Sequence, residues 1–204
     1  FNPDLKSVNF MVPGVVALIL TIVTMTMTAT AIVKEKERGT IEQLIVSPIR
    51  PVQIMLGKAI PFVIIGYADI LLVVLVGLLW FRVPVAGSFP LLLALSGLFI
   101  MTTLGLGLLI STLSQTQQQA MMLGFFANPP FMLLSGFIFP IASMPEPMQY
   151  ITYLIPLRYF LVIIRGIFLK GVGLEVLWPQ ALALLGFGVA LLFLSALRFQ
   201  KRLG

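Results

Sequence analysis

Cysteine and histidine are both missing from the 204 residues. Without cysteine there is no disulfide and no thiolate metal site, and without histidine the commonest metal ligand and acid–base group is gone. Charge is scarce as well. Asp, Glu, Lys and Arg make up 10% of the chain, too few to clothe a soluble domain of this length. Hydrophobic residues reach 59% and mean hydropathy is +1.09, against about 45–50% apolar for globular proteins. The chain reads as an all-α integral membrane protein. Catalytic signatures are absent too: there is no G-x-S-x-G and no H-E-x-x-H. The phosphate-cradling G-x-x-x-x-G-K-[ST] also fails, because Gly57-Lys58 is followed by Ala59 and lacks the earlier glycine. The reading is of a non-enzyme that binds no metal or cofactor itself.

Basic residues outnumber acidic ones, for a net charge of +6. They are scattered at the ends of apolar runs rather than gathered on one face, which excludes a nucleic-acid partner. Eight of the twenty charged side chains lie within residues 34–58, an island between two greasy runs; residues 11–33 carry no charge and 59–80 only Asp69. Five of the island's charges are Lys or Arg, which places it on the cytoplasmic side. Thr40 followed by Gln43 is a capping-box pattern. Ile41, Leu44 and Ile45 then share a helix face, until Pro48 ends it. About two turns of helix do not persist alone in water, so the membrane surface or another protein must hold them.

Five segments are long enough to cross a hydrocarbon core, which takes about 20 residues of helix: 11–33, 59–80, 90–113, 119–140 and 178–197. With 34–58 inside, the N-terminus of this sequence is external and the tail cytoplasmic. Eight basic residues then lie inside and five outside, and Trp80 and Trp178 both fall at the outer interface. An external start calls for a preceding span, and the first residue is Phe1 rather than Met, so an upstream part is expected.

Within the spans, Thr21, Thr24 and Thr28 form a hydroxyl stripe, either a packing seam with back-bonded hydroxyls or the lining of a path. Asp69 sits near mid-depth, either functional or a protonated acid bonded to a neighbouring helix. Gly97, Gly105, Gly107 and Ser111 suit close helix approach. Asn128-Pro129-Pro130 interrupts the fourth span and frees carbonyls that need partners. Residues 141–177, broken by Pro140, Pro145, Pro147 and Pro156, are read as a re-entrant or interfacial hairpin over 141–170. A short helix from Met148 precedes a run, 157–169, too short to span. Arg158 and Arg165 are seven residues apart on one face of that run, snorkelling to headgroups or pairing with Glu146.

The run Lys36-Glu37-Arg38-Gly39-Thr40-Ile41-Glu42-Gln43-Leu44, with Ser47-Pro48-Ile49-Arg50 and Gly57-Lys58, resembles the membrane subunits of type-2 ABC exporters. So do Leu134-Ser135-Gly136-Phe137-Ile138-Phe139-Pro140 and Pro156-Leu157-Arg158-Tyr159-Phe160. The likeness covers nearly the whole chain and is greatest to bacterial drug-efflux-like permeases with an external domain between spans one and two. It implies that the five spans are spans two to six of six, in the inner (plasma) membrane. It implies that Arg38, Gly39, Thr40, Glu42, Gln43 and Leu44 belong to a coupling helix docking on a separate ABC ATP-binding subunit, which holds ATP and Mg. It also implies a second permease subunit, as a homodimer or heterodimer among membrane lipids, with the export path between the two. Thr21, Thr24, Thr28, Asn128 and Met132 are the candidate path residues. The rival reading is an ion-coupled secondary transporter using Asp69; a membrane-embedded scaffold or enzyme comes third.

Overall fold

A lipid-filled slab offers the backbone no hydrogen-bond partners, so apolar chain that crosses it must satisfy its amides internally. A computed structural model describes residues 7–39, 51–81 and 86–201, and among these the regular structure is entirely helical. The elements are α1 (Ser7–Glu37), α2 (Pro51–Leu79), α3 (Phe89–Leu113), α4 (Gln117–Leu134), a 3₁₀ turn (Ile141–Ser143), α5 (Glu146–Thr152), α6 (Pro156–Arg165) with a π-helical continuation (Gly166–Lys170), and α7 (Leu174–Lys201).

Among the described residues, four helices are long and apolar enough to span by themselves: Met11–Glu37, Ala59–Leu79, Phe89–Leu113 and Leu174–Arg198. The fourth predicted span, 119–140, is helical only over Gln117–Leu134. Gly136 then turns the chain at φ +83°, a conformation that side chains with a Cβ disfavour. Three glutamines and the Asn-Pro-Pro step also make α4 too polar to pass as a span by composition. It runs beside α1, in the opposite direction. Gln117 meets Glu37, Gly124 lies against Thr26, and Phe137 lies against Gly14. From Gly14 to Lys36 an α-helix rises about 33 Å, against about 30 Å for a hydrocarbon core.

Neighbouring contacts fix the directions. Gly66 lies against Thr24 and Gly77 against Val12, so α2 runs antiparallel to α1. Thr24 meets Thr103 and Gly107 meets Thr28, so α3 runs parallel to α1. Thr102 meets Leu184 and Gly105 meets Leu191 and Ser195, so α7 runs parallel to α3. The bundle therefore has two rims. One carries Lys36, Glu37 and the turn at Ser114; the other carries Gly14, Gly136 and the hairpin. Trp80 and Trp178, both exposed, share the hairpin rim.

Half of the α1 span and 56% of the α3 span are buried, against 22% for α2 and 17% for α7. The first two are the inner helices and the last two face outward. The hairpin enters from its rim. α5 and α6 meet at an 81° bend, and α6 sinks Leu157, Phe160, Leu161, Ile163 and Ile164 into the main apolar cluster. Phe160 stacks flat on Phe99 of α3 at 4.1 Å between ring centres. The predicted helix from Met148 is thus Glu146–Thr152, and the run 157–169 is α6 with its π-helical end. Gly171, at φ +62°, ends it against the Ala86 carbonyl, while the Ala86 amide donates to the Phe168 carbonyl at 3.0 Å.

Candidate functional site

Two helix ends at the first rim present opposite needs. The last turn of α3 leaves carbonyls without partners, and the first turn of α4 leaves amides without acceptors. Two consecutive side chains of α1 answer both. Lys36 Nζ donates to the Ser114 carbonyl at 3.0 Å. The Glu37 carboxylate accepts from the Gln117 amide at 2.8 Å and from Gln117 Nε2 at 2.5 Å. Each charge has the sign that the helix end it meets favours. The turn is stiffened from within: Gln119 donates its amide to Thr116 Oγ1, and the Gln119 side chain accepts from the Gln115 amide, a variant of the capping box. The end of α1 is thereby bonded to both the end of α3 and the start of α4.

Just beyond this latch, the Arg38 and Gly39 amides close α1 by donating hydrogen bonds to the Lys34 and Lys36 carbonyls. Gly39 is at φ +70°, the left-handed geometry of a helix stop. Thr40, Glu42, Gln43 and Leu44, the rest of the expected coupling helix, lie outside the described residues. Sequence reasoning missed Lys36, Glu37 and Gln117 as a unit. The signal for half of it was present, since Thr116-Gln117-Gln118-Gln119 is itself a Thr-x-x-Gln cap.

The hydroxyl stripe faces inward. Thr21, Thr24 and Thr28 are almost fully buried. Thr21 and Thr24 donate back to the Ala17 and Leu20 carbonyls, and Thr24 also pairs with Thr103 of α3 at 2.7 Å. The Thr28 hydroxyl is enclosed without a hydrogen-bond partner, while the Thr28 Cβ and methyl group lie against Gly107. Within this chain Thr24 and Thr28 lie in a packed seam between α1 and α3. Asn128 and Met132 lie elsewhere, half-buried on α4, and the Asn128 amide folds back on the Gly124 carbonyl at 2.8 Å. The five expected path residues are therefore not brought together in one chain. Thr26, which is off the stripe, is the hydroxyl that meets α4.

Asp69 is half-buried on α2, and its Oδ2 is enclosed without a hydrogen-bond donor. At the hairpin rim the expected pairing of the arginines with Glu146 gives way to other contacts. Arg158 bonds Thr152 and lies 3.9 Å from the centre of the Tyr153 ring. Arg165 donates to the Gly136 carbonyl at 3.2 Å and is directed at the Phe137 carbonyl. An arginine offers five donors in a fixed fork, which suits the uncovered carbonyls that follow α4 better than a single surface carboxylate does.

The outward face of α4 is of a different kind. Met121, Met122, Phe125 and Phe126 are all more than half exposed. Pro129 and Pro130 leave carbonyls one turn earlier in the helix without their usual amide donors.

Residues 3–169 match the ABC-2 type transporter family. The chain is 38% identical over 204 residues to the probable multidrug ABC transporter permease YbhS of Escherichia coli strain K12, covering 100% of this chain and 54% of that protein. It is 37% identical over 185 residues to the probable multidrug ABC transporter permease YbhR of the same organism, covering 91% and 50%. It is 34% identical over 209 residues to the inner membrane transport permease YhhJ, also of that organism, covering 100% and 55%. The chain thus spans about half the length of these relatives.

Proposed function

This chain belongs to the ABC-2 type transporter family, and from that premise we propose that it is the membrane-spanning part of an ATP-driven exporter whose ATP and Mg sit on a separate ABC subunit. The observation that carries the proposal is the latch. Immediately before the segment that resembles a coupling helix, Lys36 and Glu37 tie α1 to α3 and α4 at once. A push delivered at residues 38–46 then cannot move α1 alone; it moves α4 with it.

In this reading the rim with the latch is cytoplasmic, in keeping with the basic residues in 34–58 and in the tail. ATP binding in the partner displaces the segment containing Arg38, Thr40, Glu42, Gln43 and Leu44. The displacement passes through Glu37 and Gln117 into α4, whose bare Met121, Met122, Phe125 and Phe126 face a second permease subunit. Opening between the two α4 helices exposes the path, with Asn128 and Met132 at its edge. The cargo is of the drug class for which YbhR and YbhS are named probable multidrug permeases. Asp69 has no assigned task in this scheme.

The test uses the full-length permease with its ATP-binding subunit in proteoliposomes. Replacing Arg38 and Glu42 together is expected to abolish cargo-stimulated ATPase activity. Glu37→Ala is expected to leave ATP hydrolysis in place and to lower transport per ATP hydrolysed. Unchanged coupling in both variants would overturn the assignment.

A further inference from the structure

Two pockets at the hairpin rim share one wall. The first, of about 300 Å³, lies between α6 and the turn after α4 and is lined by Phe137, Ile138, Leu161, Val162, Arg158 and Arg165. It is mostly apolar, and Ile138 and Val162 are over two-fifths exposed, so it is open to the surroundings. Its size is at the lower end of the range for ligand pockets, about 300–1,000 Å³. The second, of about 250 Å³, is more polar and is lined by Glu146, Gln149, Tyr150, Tyr153 and Arg158. Arg158 stands between the two. Glu146 and Arg158 face the same polar pocket with opposite charges, yet no ion pair joins them; Arg158 is held on the Tyr153 ring instead.

A ligand that filled both pockets would need an apolar tail, an anionic group at the Arg158 partition, and a cationic hydrogen-bond donor beyond it for Glu146. We propose that this is a phospholipid site: the acyl chain enters the apolar pocket, the phosphate meets Arg158, and an amine on the headgroup meets Glu146. A guanidinium binds phosphate through paired donors. It need not leave the tyrosine ring to do so, since it stacks through its face and donates through its edge. The hairpin rim lies about one hydrocarbon thickness from the latch, so both pockets sit near the membrane–water boundary. The site stands apart from the face of α4 that the export scheme uses, and it does not depend on which rim is cytoplasmic.

The test is retention of lipid by the full-length permease taken from nanodiscs of phosphatidylcholine doped with phosphatidylethanolamine or with phosphatidylglycerol, read by native mass spectrometry. Wild type is expected to keep one phosphatidylethanolamine per chain in preference to the other two. Glu146→Gln is expected to erase the preference for the amine. Arg158→Gln is expected to lower retention about tenfold, the loss of one charge-assisted hydrogen bond. Val162→Phe, which fills the apolar pocket without touching a charge, is expected to lower it similarly. Glu146 is exposed and Val162 is half-exposed, so these two variants keep the test alive if Arg158→Gln disturbs the hairpin. Equal retention in Glu146→Gln and Val162→Phe, a preference for phosphatidylglycerol, or displacement of the lipid by soluble phosphoethanolamine would each overturn the proposal.

Discussion

Individual side chains on α1 illustrate how far spacing reaches. The i, i+3, i+7 recurrence of Thr21, Thr24 and Thr28 was legible as one face, but which neighbour that face meets is a property of the bundle. The contact with Thr103 joins residues 79 apart in the chain, beyond any local pattern. That pair sits in a buried seam, and its worth is open to direct measurement. In a double-mutant cycle, Thr24→Val and Thr103→Val are expected to couple by about 0.6 kcal/mol, the average for hydrogen bonds between membrane helices, read from unfolding in detergent. Asp69 gives a second outcome. Its Oδ2 meets no donor, so Asp69→Asn, which keeps the shape and removes any charge, is expected to preserve both fold stability and ATP-driven transport. Loss of transport in that variant, assayed in proteoliposomes, would revive ion coupling. The Glu37 bond to Gln117 was invisible for the same reason as the threonine pair: it links residues 80 apart, and only the antiparallel run of α4 beside α1 brings them together.

Helix by helix, the apolar runs announced four of the crossings to within a few residues, because lipid leaves helix as the only economical form for such a run. The end of α4 was misjudged. Hydropathy continues through Phe137, Ile138 and Phe139, while the backbone already turns at Gly136, where a positive φ outweighs side-chain apolarity. The hairpin was readable from its prolines and its two arginines, yet not its depth. α6 is among the most enclosed pieces of the chain, and its anchor is the flat stack of Phe160 on Phe99. Phe160→Ala is expected to destabilise the protein by about 3–5 kcal/mol, measured by denaturant unfolding in detergent micelles. Val162→Ala, two residues away but half-exposed, is expected to change stability by no more than about 0.5 kcal/mol. Equal effects at the two sites would mean that α6 is not docked as described.

For the molecule as a whole, exposure is uneven in kind as well as amount. α2 and α7 expose mainly aliphatic side chains, with Trp178 and Phe193 on α7, whereas α4 exposes two methionines and two phenylalanines beside a proline pair that removes two amide donors. Lipid tails cannot satisfy the carbonyls left without those donors, and the proposed export scheme gives this face to a second permease subunit. Phe125→Ser with Phe126→Ser is expected to lower the dimer fraction of the full-length permease in detergent. Cysteines placed at Met122 are expected to crosslink between subunits, and a failure to crosslink alongside an unchanged dimer would move the interface elsewhere. Composition foretold a membrane protein; which surface a partner would take is a property of the folded bundle. The seam between α3 and α7 has a consequence for biosynthesis. Because these helices run parallel, no tight turn can make them neighbours, and every element after α3 must leave the ribosome before Leu184 and Ser195 reach Thr102 and Gly105. α3 therefore waits in the bilayer with Gly105 uncovered while the hairpin is made, and α7 acts as the keystone that closes the arch.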